Sequence, residues 1–183
     1  EKVIDGAGQG RDEESALRHG RQLHALLELL PTADKSNWAK LAAQILNSNS
    51  EPYDEAENIE LLAEATTILE NPDLAFIFTS SSLAEVEITA QMEPGVLFGV
   101  IDRLVITETK ILAVDFKSTL SVPALLAEVP LGYLRQMGAY AAGLAQIYPD
   151  HKIETAILWT KPATLMRLPH ELVTDAFLEV TAS

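Results

Sequence analysis

Two apolar runs rich in β-branched residues, separated by a short polar turn, constrain the fold of this chain most strongly. Residues 96–106 and 110–116 flank the turn at 107–109, and this arrangement predicts a β-hairpin. An apolar helical pattern over 131–148 and a further β-rich run over 153–160 follow. Strands interleaved with a long helix are typical of a sheet that is covered by helices. We therefore expect an α/β (α+β) fold with a central mixed β-sheet flanked by helices.

The chain before residue 70 shows the helical period instead. Apolar residues recur at helical spacing over 13–30, 35–46 and 54–69, and the Asn71-Pro72 pair ends the last of these segments. The sequence therefore predicts an N-terminal helical segment that precedes the sheet.

The change of period also suggests how the chain is organised. Residues 1–12 are polar and Gly-rich, and we expect them to form a disordered N-terminal end. We expect residues 13–183 to form a single domain, with a helical part (13–70) and a sheet core (74–183) that contains the long helix 131–148. Further short elements are predicted in the sheet core: strands at 74–78, 83–90 and 164–168, and a final helix at 171–180.

The acidic composition limits the partners that the chain can bind by charge. The sequence has 13 Lys and Arg against 27 Asp and Glu, a net charge of −14. Phosphate contacts by basic side chains supply most non-specific affinity for DNA. The acids are concentrated before residue 100, whereas residues 100–170 hold seven bases and six acids. The second half is therefore the part of the chain that can face an anion.

The absence of cysteine restricts the metal chemistry that is open to the chain. Disulfides, thiolate zinc sites and cysteine-ligated iron–sulfur clusters are excluded, so a metal site must use His, Asp or Glu. No apolar run is long enough to cross a membrane, and from the polar, Gly-rich first residues we expect no signal peptide. We therefore expect a cytoplasmic chain without membrane partners. Because it begins with Glu rather than Met, we expect a piece of a longer polypeptide.

Charged residues interrupt or directly follow the apolar runs of the predicted hairpin. Asp102 lies in the first run, Asp115 lies in the second, and Lys117 follows directly after it. Because Asp115 and Lys117 are two residues apart, they share one face of their strand. A carboxylate in an apolar strand is costly unless a cation compensates its charge. Two interpretations follow: a site for a hard divalent cation beside an ammonium that binds substrate, or a buried Asp–Lys ion pair with a structural role.

The sequence around these residues resembles a known family of nucleases. The strings FGVIDRL (98–104) and ILAVDFKST (111–119) resemble the active-site segment of the PD-(D/E)XK nuclease superfamily, in its RecB-like branch. Gln136 and Tyr140 match the Q-x-x-x-Y signature of that branch, and residues 20–24 resemble its first-helix motif. Further similarities after residue 128 make the chain most similar to the C-terminal nuclease domain of the AddA subunit of bacterial AddAB-type helicase–nucleases.

This resemblance implies metal-binding and catalytic roles for the matching residues. Asp102 and Asp115 would bind Mg²⁺ or Mn²⁺, helped by the backbone carbonyl of Phe116. His24 would reach the same metal from the first helix. Lys117 would contact the attacking water and the scissile phosphate, and would stabilise the charge that grows in the transition state.

Further groups complete the implied site. Gln136 and Tyr140, four residues apart on one helix face, would line the site or hold the DNA strand. An additional acid is usual on the strand before Asp102 in this family. Glu85 is the first choice for that acid, with Glu87, two residues further along the strand, as the alternative.

The resemblance also implies an activity and partners. We expect an exonuclease domain that hydrolyses phosphodiester bonds of single-stranded DNA during double-strand break repair. Its partners would be the N-terminal helicase region of the same polypeptide and an AddB-like second subunit. ATP would be bound only by the helicase part, since this sequence contains no Walker-type Gly-rich loop. The alternative is a catalytically inactive domain that binds DNA or a partner in the same assembly.

Overall fold

The chain folds into two compact units, Glu1–Glu70 and Asn71–Ser183. The first unit is helical, and the second contains the sheet and two further helices. Whether the two units act as a single domain stays a prediction. The computed structural model describes the backbone of residues 6–47, 54–92 and 95–181, and the side chains of residues 13–47, 54–92 and 95–179.

The helical unit consists of three helices, α1 (Gly6–Leu29), α2 (Trp38–Asn47) and α3 (Glu55–Leu69). Asp54 caps α3, since its carboxylate accepts hydrogen bonds from the N–H groups of Ala56 and Glu57. Leu17 and Ile59 belong to the apolar pattern but are 60% and 62% exposed, whereas the apolar side chains that form the inner face of these helices are buried. They are Leu23, Leu26, Leu27 and Leu30 in and just after α1, Ala42 and Leu46 in α2, and Leu61, Ala65 and Ile68 in α3.

Two polar contacts tie α1 to α3 within this unit. An Arg18 guanidinium nitrogen lies 2.8 Å from a Glu57 carboxylate oxygen. About two turns of α3 further on, His19 Nε2 lies 2.9 Å from a Glu64 oxygen. Two acidic residues of α3, Glu57 and Glu64, therefore contact α1.

Helix α1 begins earlier than the sequence predicts. Its first residue is Gly6, whereas the apolar spacing places the start near Glu13, so residues 6–12 of the predicted disordered end are helical here. Apolar spacing identifies only the turns of a helix that pack against a partner, and Ala7 is the one apolar residue between positions 6 and 12. Residues 1–5 lie outside the described part of the chain.

The second unit is built on a five-stranded mixed sheet, which confirms the predicted fold class. The strands lie in chain order across the sheet. Neighbouring strands are antiparallel except for β3 and β4, which are parallel and are joined by a crossover that contains a long helix. The strands are β1 (Leu83–Met92), β2 (Gly95–Ile106), β3 (Lys110–Lys117), β4 (Lys152–Trp159) and β5 (Thr164–Leu168).

Helix α4 (Leu131–Ile147) is the crossover helix, and it packs against the sheet. Helix α5 (His170–Thr181) follows β5 and packs on α4. Gly138 permits this close approach, since a Cβ atom at this position would lie 2.1 Å from the Val173 carbonyl oxygen of α5. The apolar face of α4, which includes Met137 and Leu144, contributes to a buried core with residues of all five strands.

One predicted strand is wrong. Residues 75–78 form a short 3₁₀ helix rather than the strand expected over 74–78. Local turn bonds explain the difference: the Asn71 side chain accepts the N–H of Asp73, and the N–H of Leu74 donates to the Asn71 carbonyl. A short apolar run does not distinguish a strand from a buried helical turn, and Ile77 is fully buried here in the helical form.

Among the described residues, no helix has both the length and the apolar character that crossing a membrane would require.

Candidate active site

Asp102 lies on β2 where the backbone pairing of β2 with β3 ends. The last paired residues are Arg103 and Val114, and the same register continued by one residue brings position 102 opposite position 115. The N–H of Phe116 donates to a carboxylate oxygen of Asp102 at 2.6 Å. Since the N–H and C=O of one strand residue point toward the same neighbour, the Phe116 carbonyl also faces β2 beside Asp102.

Asp115 is buried, with 4% of its surface exposed, and its charge is compensated by Lys117. The Lys117 Nζ lies 2.7 Å from an Asp115 carboxylate oxygen. The two side chains share a face of β3 because they lie two residues apart. This contact provides the compensation that a buried carboxylate requires.

Helix α4 supplies the remaining contacts of Lys117. The Lys117 Nζ donates to the Gln136 side-chain oxygen at 3.0 Å and lies 4.5 Å from the centre of the Tyr133 ring. The Gln136 amide nitrogen donates to the Tyr140 hydroxyl at 3.0 Å, and that hydroxyl donates to the Val100 carbonyl of β2 at 2.7 Å. A continuous set of contacts therefore links Lys117 on β3, through α4, to β2.

Burial and the surrounding charges affect the pKa of the Tyr140 hydroxyl. Burial raises its pKa above the ordinary value of 10.0, and the negative charges of Asp115, Asp102 and Glu85 raise the pKa further, although the bond from Gln136 acts in the opposite direction. Tyr140 is therefore a neutral hydrogen-bond donor at physiological pH. The three carboxylates all lie close enough to act on one phenol.

Glu85 lies directly opposite Asp102 on the neighbouring strand. Ala84 pairs with Arg103, and Val86 pairs with Ile101. Carboxylate oxygens of Glu85 and Asp102 lie within 4.8 Å of each other. Like charges at this separation repel each other unless a cation or a proton lies between them.

The backbone at Glu85 is strained. Its φ angle is 48°, in the left-handed region that residues other than glycine rarely adopt. The side-chain pattern of β2 shifts by one residue at the same level, since Ile101 and Leu104 both belong to the core beside α4 although they are three residues apart. The irregular pair of Glu85 and Asp102 is therefore a local break in the alternation of the sheet.

The two acids proposed from the sequence for the first strand are placed differently. Both side chains are exposed, but Glu85 has a carboxylate oxygen within 4.8 Å of one of Asp102, whereas Glu87 lies two residues further on and pairs with Val100. The left-handed backbone of Glu85 departs from the regular strand at this point, and no sequence pattern indicates it.

His24 lies on α1, in the helical unit. It is half-buried and follows the fully buried Leu23 in the apolar face of the helix. Its role as a metal ligand stays a prediction.

Two residues of this site were not predicted from the sequence. Tyr133 contacts Lys117, and its position three residues before Gln136 on one helix face is the signal that could have indicated it. Gly99 lies against Tyr140, because a Cβ atom at this position would lie 2.6 Å from the Tyr140 Cε1 atom. A side chain at position 99 would thus displace the Tyr140 ring.

The oxygen ligands of this site suit a hard cation. Asp102, Asp115 and Glu85 offer carboxylates, and Phe116 offers a backbone carbonyl that faces Asp102. Mg²⁺ and Mn²⁺ prefer such oxygens. The close approach of the Glu85 and Asp102 carboxylates fits the same conclusion, since a divalent cation would relieve their repulsion.

Comparison with known proteins matches the chain to a superfamily and to solved structures. The family model that matches it, over residues 3–176, describes the PD-(D/E)XK nuclease superfamily. Among solved structures, the crystal structure of a putative exonuclease from Eubacterium rectale matches with a TM-score of 0.56 at 12% sequence identity, over 86% of this chain. This chain covers 64% of that protein, which is less than two thirds. At such low identity the match shows a shared fold alone.

Two further comparisons give no information about fold or function. The crystal structure of SSO0001 matches with a TM-score of only 0.33 at 15% identity, over 87% of this chain and 73% of that chain. No match is found among curated protein sequences.

Proposed function

This chain belongs to the PD-(D/E)XK nuclease superfamily, and from that membership we propose that it is an exonuclease domain that hydrolyses phosphodiester bonds of single-stranded DNA with Mg²⁺ or Mn²⁺. One observation carries the proposal. Asp102 lies beside Asp115 on adjacent antiparallel strands, and Lys117 contacts Asp115 from the same strand face. This brings two potential metal ligands and a cation for the phosphate into one place.

The metal would be held by Asp102, Asp115 and the Phe116 carbonyl, with Glu85 as a further acid and His24 as the proposed ligand from α1. When bound, such an ion activates a water for attack at neutral pH and offsets negative charge on the phosphate. The crowded carboxylates Glu85 and Asp102 support this assignment.

The residues around the metal position have separate tasks in this mechanism. Lys117 holds an ammonium beside the phosphate and neutralises the charge that develops on its oxygens. Asp115 and Gln136 orient that ammonium through direct contacts at 2.7 and 3.0 Å. Tyr140 remains a neutral donor, and it fixes Gln136 by accepting a hydrogen bond from the amide.

We further propose the RecB-like branch and the C-terminal nuclease domain of an AddA-type subunit as the more specific assignment. The partners would then be DNA, the helicase region of the same polypeptide that would feed the DNA to this domain, and an AddB-like second subunit. We do not expect a membrane among the partners. ATP would bind only to the helicase part. Such an assembly would act in double-strand break repair, in the cytoplasm. The Q-x-x-x-Y pair of Gln136 and Tyr140 supports the branch, because both side chains belong to the Lys117 network.

Metal dependence is the first test. The 183-residue chain should shorten linear single-stranded DNA in Mg²⁺ or Mn²⁺, and EDTA should abolish the reaction because the charge on the phosphate would lose its main compensation. Circular single-stranded DNA is the control, since an exonuclease needs a free end. Cleavage in EDTA, or equal cleavage of the circle, would contradict the proposal.

Variants separate metal binding from catalysis. Lys117→Ala should bind Mn²⁺ in a calorimetric titration but cleave at least about 100-fold more slowly, as after removal of one preorganised transition-state donor. Asp115→Ala should lose both properties. Lys110→Ala is the matched control, because Lys110 lies on the same strand but is exposed and contacts Glu154 instead. Normal cleavage by Lys117→Ala would reduce Lys117 to a structural ion-pair partner, and a chain that binds DNA without cleaving it would support the inactive alternative.

A further inference from the structure

The Lys117 ammonium is held by an aromatic ring as well as by polar atoms. Its Nζ lies 4.5 Å from the centre of the Tyr133 ring. A cation this close to a ring face is attracted by the negative charge of the π-system. The contact adds a third partner to those that Asp115 and Gln136 provide.

Packing fixes the Tyr133 ring in place. The ring lies against Trp159, with 6.2 Å between the ring centres and an interplanar angle of 45°. Trp159 is 1% exposed and pairs with Lys117 in the parallel register of β3 and β4. Tyr133 is half-buried and rests on a buried side chain of the strand next to that of Lys117, so this packing restrains the ring.

The three partners of Lys117 come from two elements. Asp115 belongs to β3, whereas Gln136 and Tyr133 occupy one face of α4 at a spacing of three residues. A lysine side chain has four flexible carbon–carbon bonds, so a rigid contact restricts it more than it would restrict a shorter side chain. The ring contributes a non-polar surface that excludes water from one side of the ammonium.

We propose that Tyr133 is a positioning residue, whose ring holds the Lys117 ammonium at the place from which it acts on the scissile phosphate. The consequence for catalysis rests on the proposed nuclease function, whereas the restraint on Lys117 does not. The phenol hydroxyl has no part in this role, and the ring alone carries it.

The test compares Tyr133→Phe, which keeps the ring, with Tyr133→Leu, which removes it. Nuclear magnetic resonance of the full chain measures the shift that the ring imposes on the ε-methylene signals of Lys117, assigned with Lys117→Arg. The shift should persist in Tyr133→Phe and vanish in Tyr133→Leu. Tyr148→Leu is the matched control, since Tyr148 is a half-buried tyrosine at the other end of α4 that contacts His151.

The rate of cleavage provides the second readout. Under single-turnover conditions with Mn²⁺, Tyr133→Leu should cleave about tenfold more slowly, the range of a partly desolvated cation–π contact. Its affinity for DNA should not change, and Tyr133→Phe should cleave as the native chain does. Circular dichroism shows whether each variant folds.

Each outcome decides the inference. Loss of rate in Tyr133→Leu with rescue in Tyr133→Phe supports positioning by the ring. An unchanged Lys117 shift in Tyr133→Leu, an equal loss of rate in both variants, or a native rate in Tyr133→Leu overturns it. If the native chain does not cleave DNA at all, the proposed function fails, while the Lys117 shifts still support or overturn the restraint by Tyr133.

Discussion

The site holds more carboxylates than a structural ion pair between Asp115 and Lys117 would need. Lys117 compensates Asp115 at 2.7 Å, and that contact alone would suffice for a structural ion pair. Glu85 and Asp102, however, place two further carboxylates within 4.8 Å of each other. Charges of one sign are not brought together for stability, so the cluster favours a cation-binding site over a purely structural ion pair.

Tyr140 provides a prediction about pH. Its pKa is raised above 10.0, chiefly by burial and also by the nearby carboxylates. The folded state therefore disfavours the phenolate, and the stability that this group contributes is complete below pH ~10, the unfolded value, and is lost as the pH rises through the folded pKa. The difference in ultraviolet absorbance between the native chain and Tyr140→Phe should show a phenol that titrates above pH 10.

The Tyr140→Phe variant also provides the stability control. It lacks the ionising hydroxyl, so its free energy of unfolding should fall less than that of the native chain as the pH rises above ~10. A native Tyr140 that titrates below its ordinary pKa would show that the hydroxyl is not buried beside the carboxylates as described.

Sequence reasoning reaches some residues of this site and not others. The spacing within β3 and within α4 brings Asp115, Lys117, Gln136 and Tyr140 to the correct elements, because strand and helix periods are regular. The backbone of Glu85 departs from the strand period, with φ at 48°, so no alternation rule could distinguish Glu85 from Glu87. Tyr133 was missed because an aromatic residue on a helix is usually a core residue.

At the scale of elements, α4 is the helix that organises the site. One face carries the Lys117 contacts, and the helix also packs on the sheet and on α5. The periodic elements of the second unit were predicted well: the strand expected over 110–116 is Lys110–Lys117, and the helix expected over 131–148 is Leu131–Ile147. The failure at 74–78 arose where the apolar run was too short to show a period.

The packing of α4 on α5 predicts the effect of a single methyl group. Gly138→Ala would place Cβ 2.1 Å from the Val173 carbonyl oxygen and 2.7 Å from the Phe177 Cβ, so the helices must separate. Alanine normally stabilises a helix interior by about 0.5–1 kcal/mol. Here overpacking should outweigh that gain, and the free energy of unfolding in urea should fall by about 1–3 kcal/mol.

Gly132→Ala is the control for this substitution. Gly132 lies in the first turn of the same helix, and nothing lies within 4 Å of a Cβ placed there. The free energy of unfolding of this variant should stay the same or rise. A Gly138→Ala protein as stable as the Gly132→Ala protein would show that α4 and α5 do not pack as closely as described.

At the scale of the whole molecule, charge limits what the chain can do with DNA by itself. The net charge is −14, with a sequence pI of about 4.6. Most non-specific affinity for nucleic acid comes from basic side chains that release counterions from phosphates. In the proposed function, a chain of this composition would therefore need its site, or a partner, to bring DNA close.

Binding of a single-stranded oligonucleotide should accordingly be weak. At physiological salt we expect a Kd at or above ~10⁻⁴ M, the weak end of non-specific binding, by fluorescence anisotropy in Ca²⁺. Replacing the exposed acids Glu55 and Glu60 of α3 with Gln should tighten binding at low salt and have little effect at high salt, because salt screens exposed charges. Micromolar binding by the native chain would contradict this expectation.

The parallel pairing of β3 with β4 sets the time at which the site can be completed during synthesis. The strand that carries both Asp115 and Lys117 ends at Lys117, but its parallel partner ends only at Trp159. At ~5–20 residues per second, a ribosome needs about 2–8 s to make the intervening chain. For that interval β3, whose residues from Ile111 to Phe116 are all buried in the finished protein, has one unpaired edge. Such an edge can pair with other nascent chains, so this strand is where we expect a chaperone to be needed.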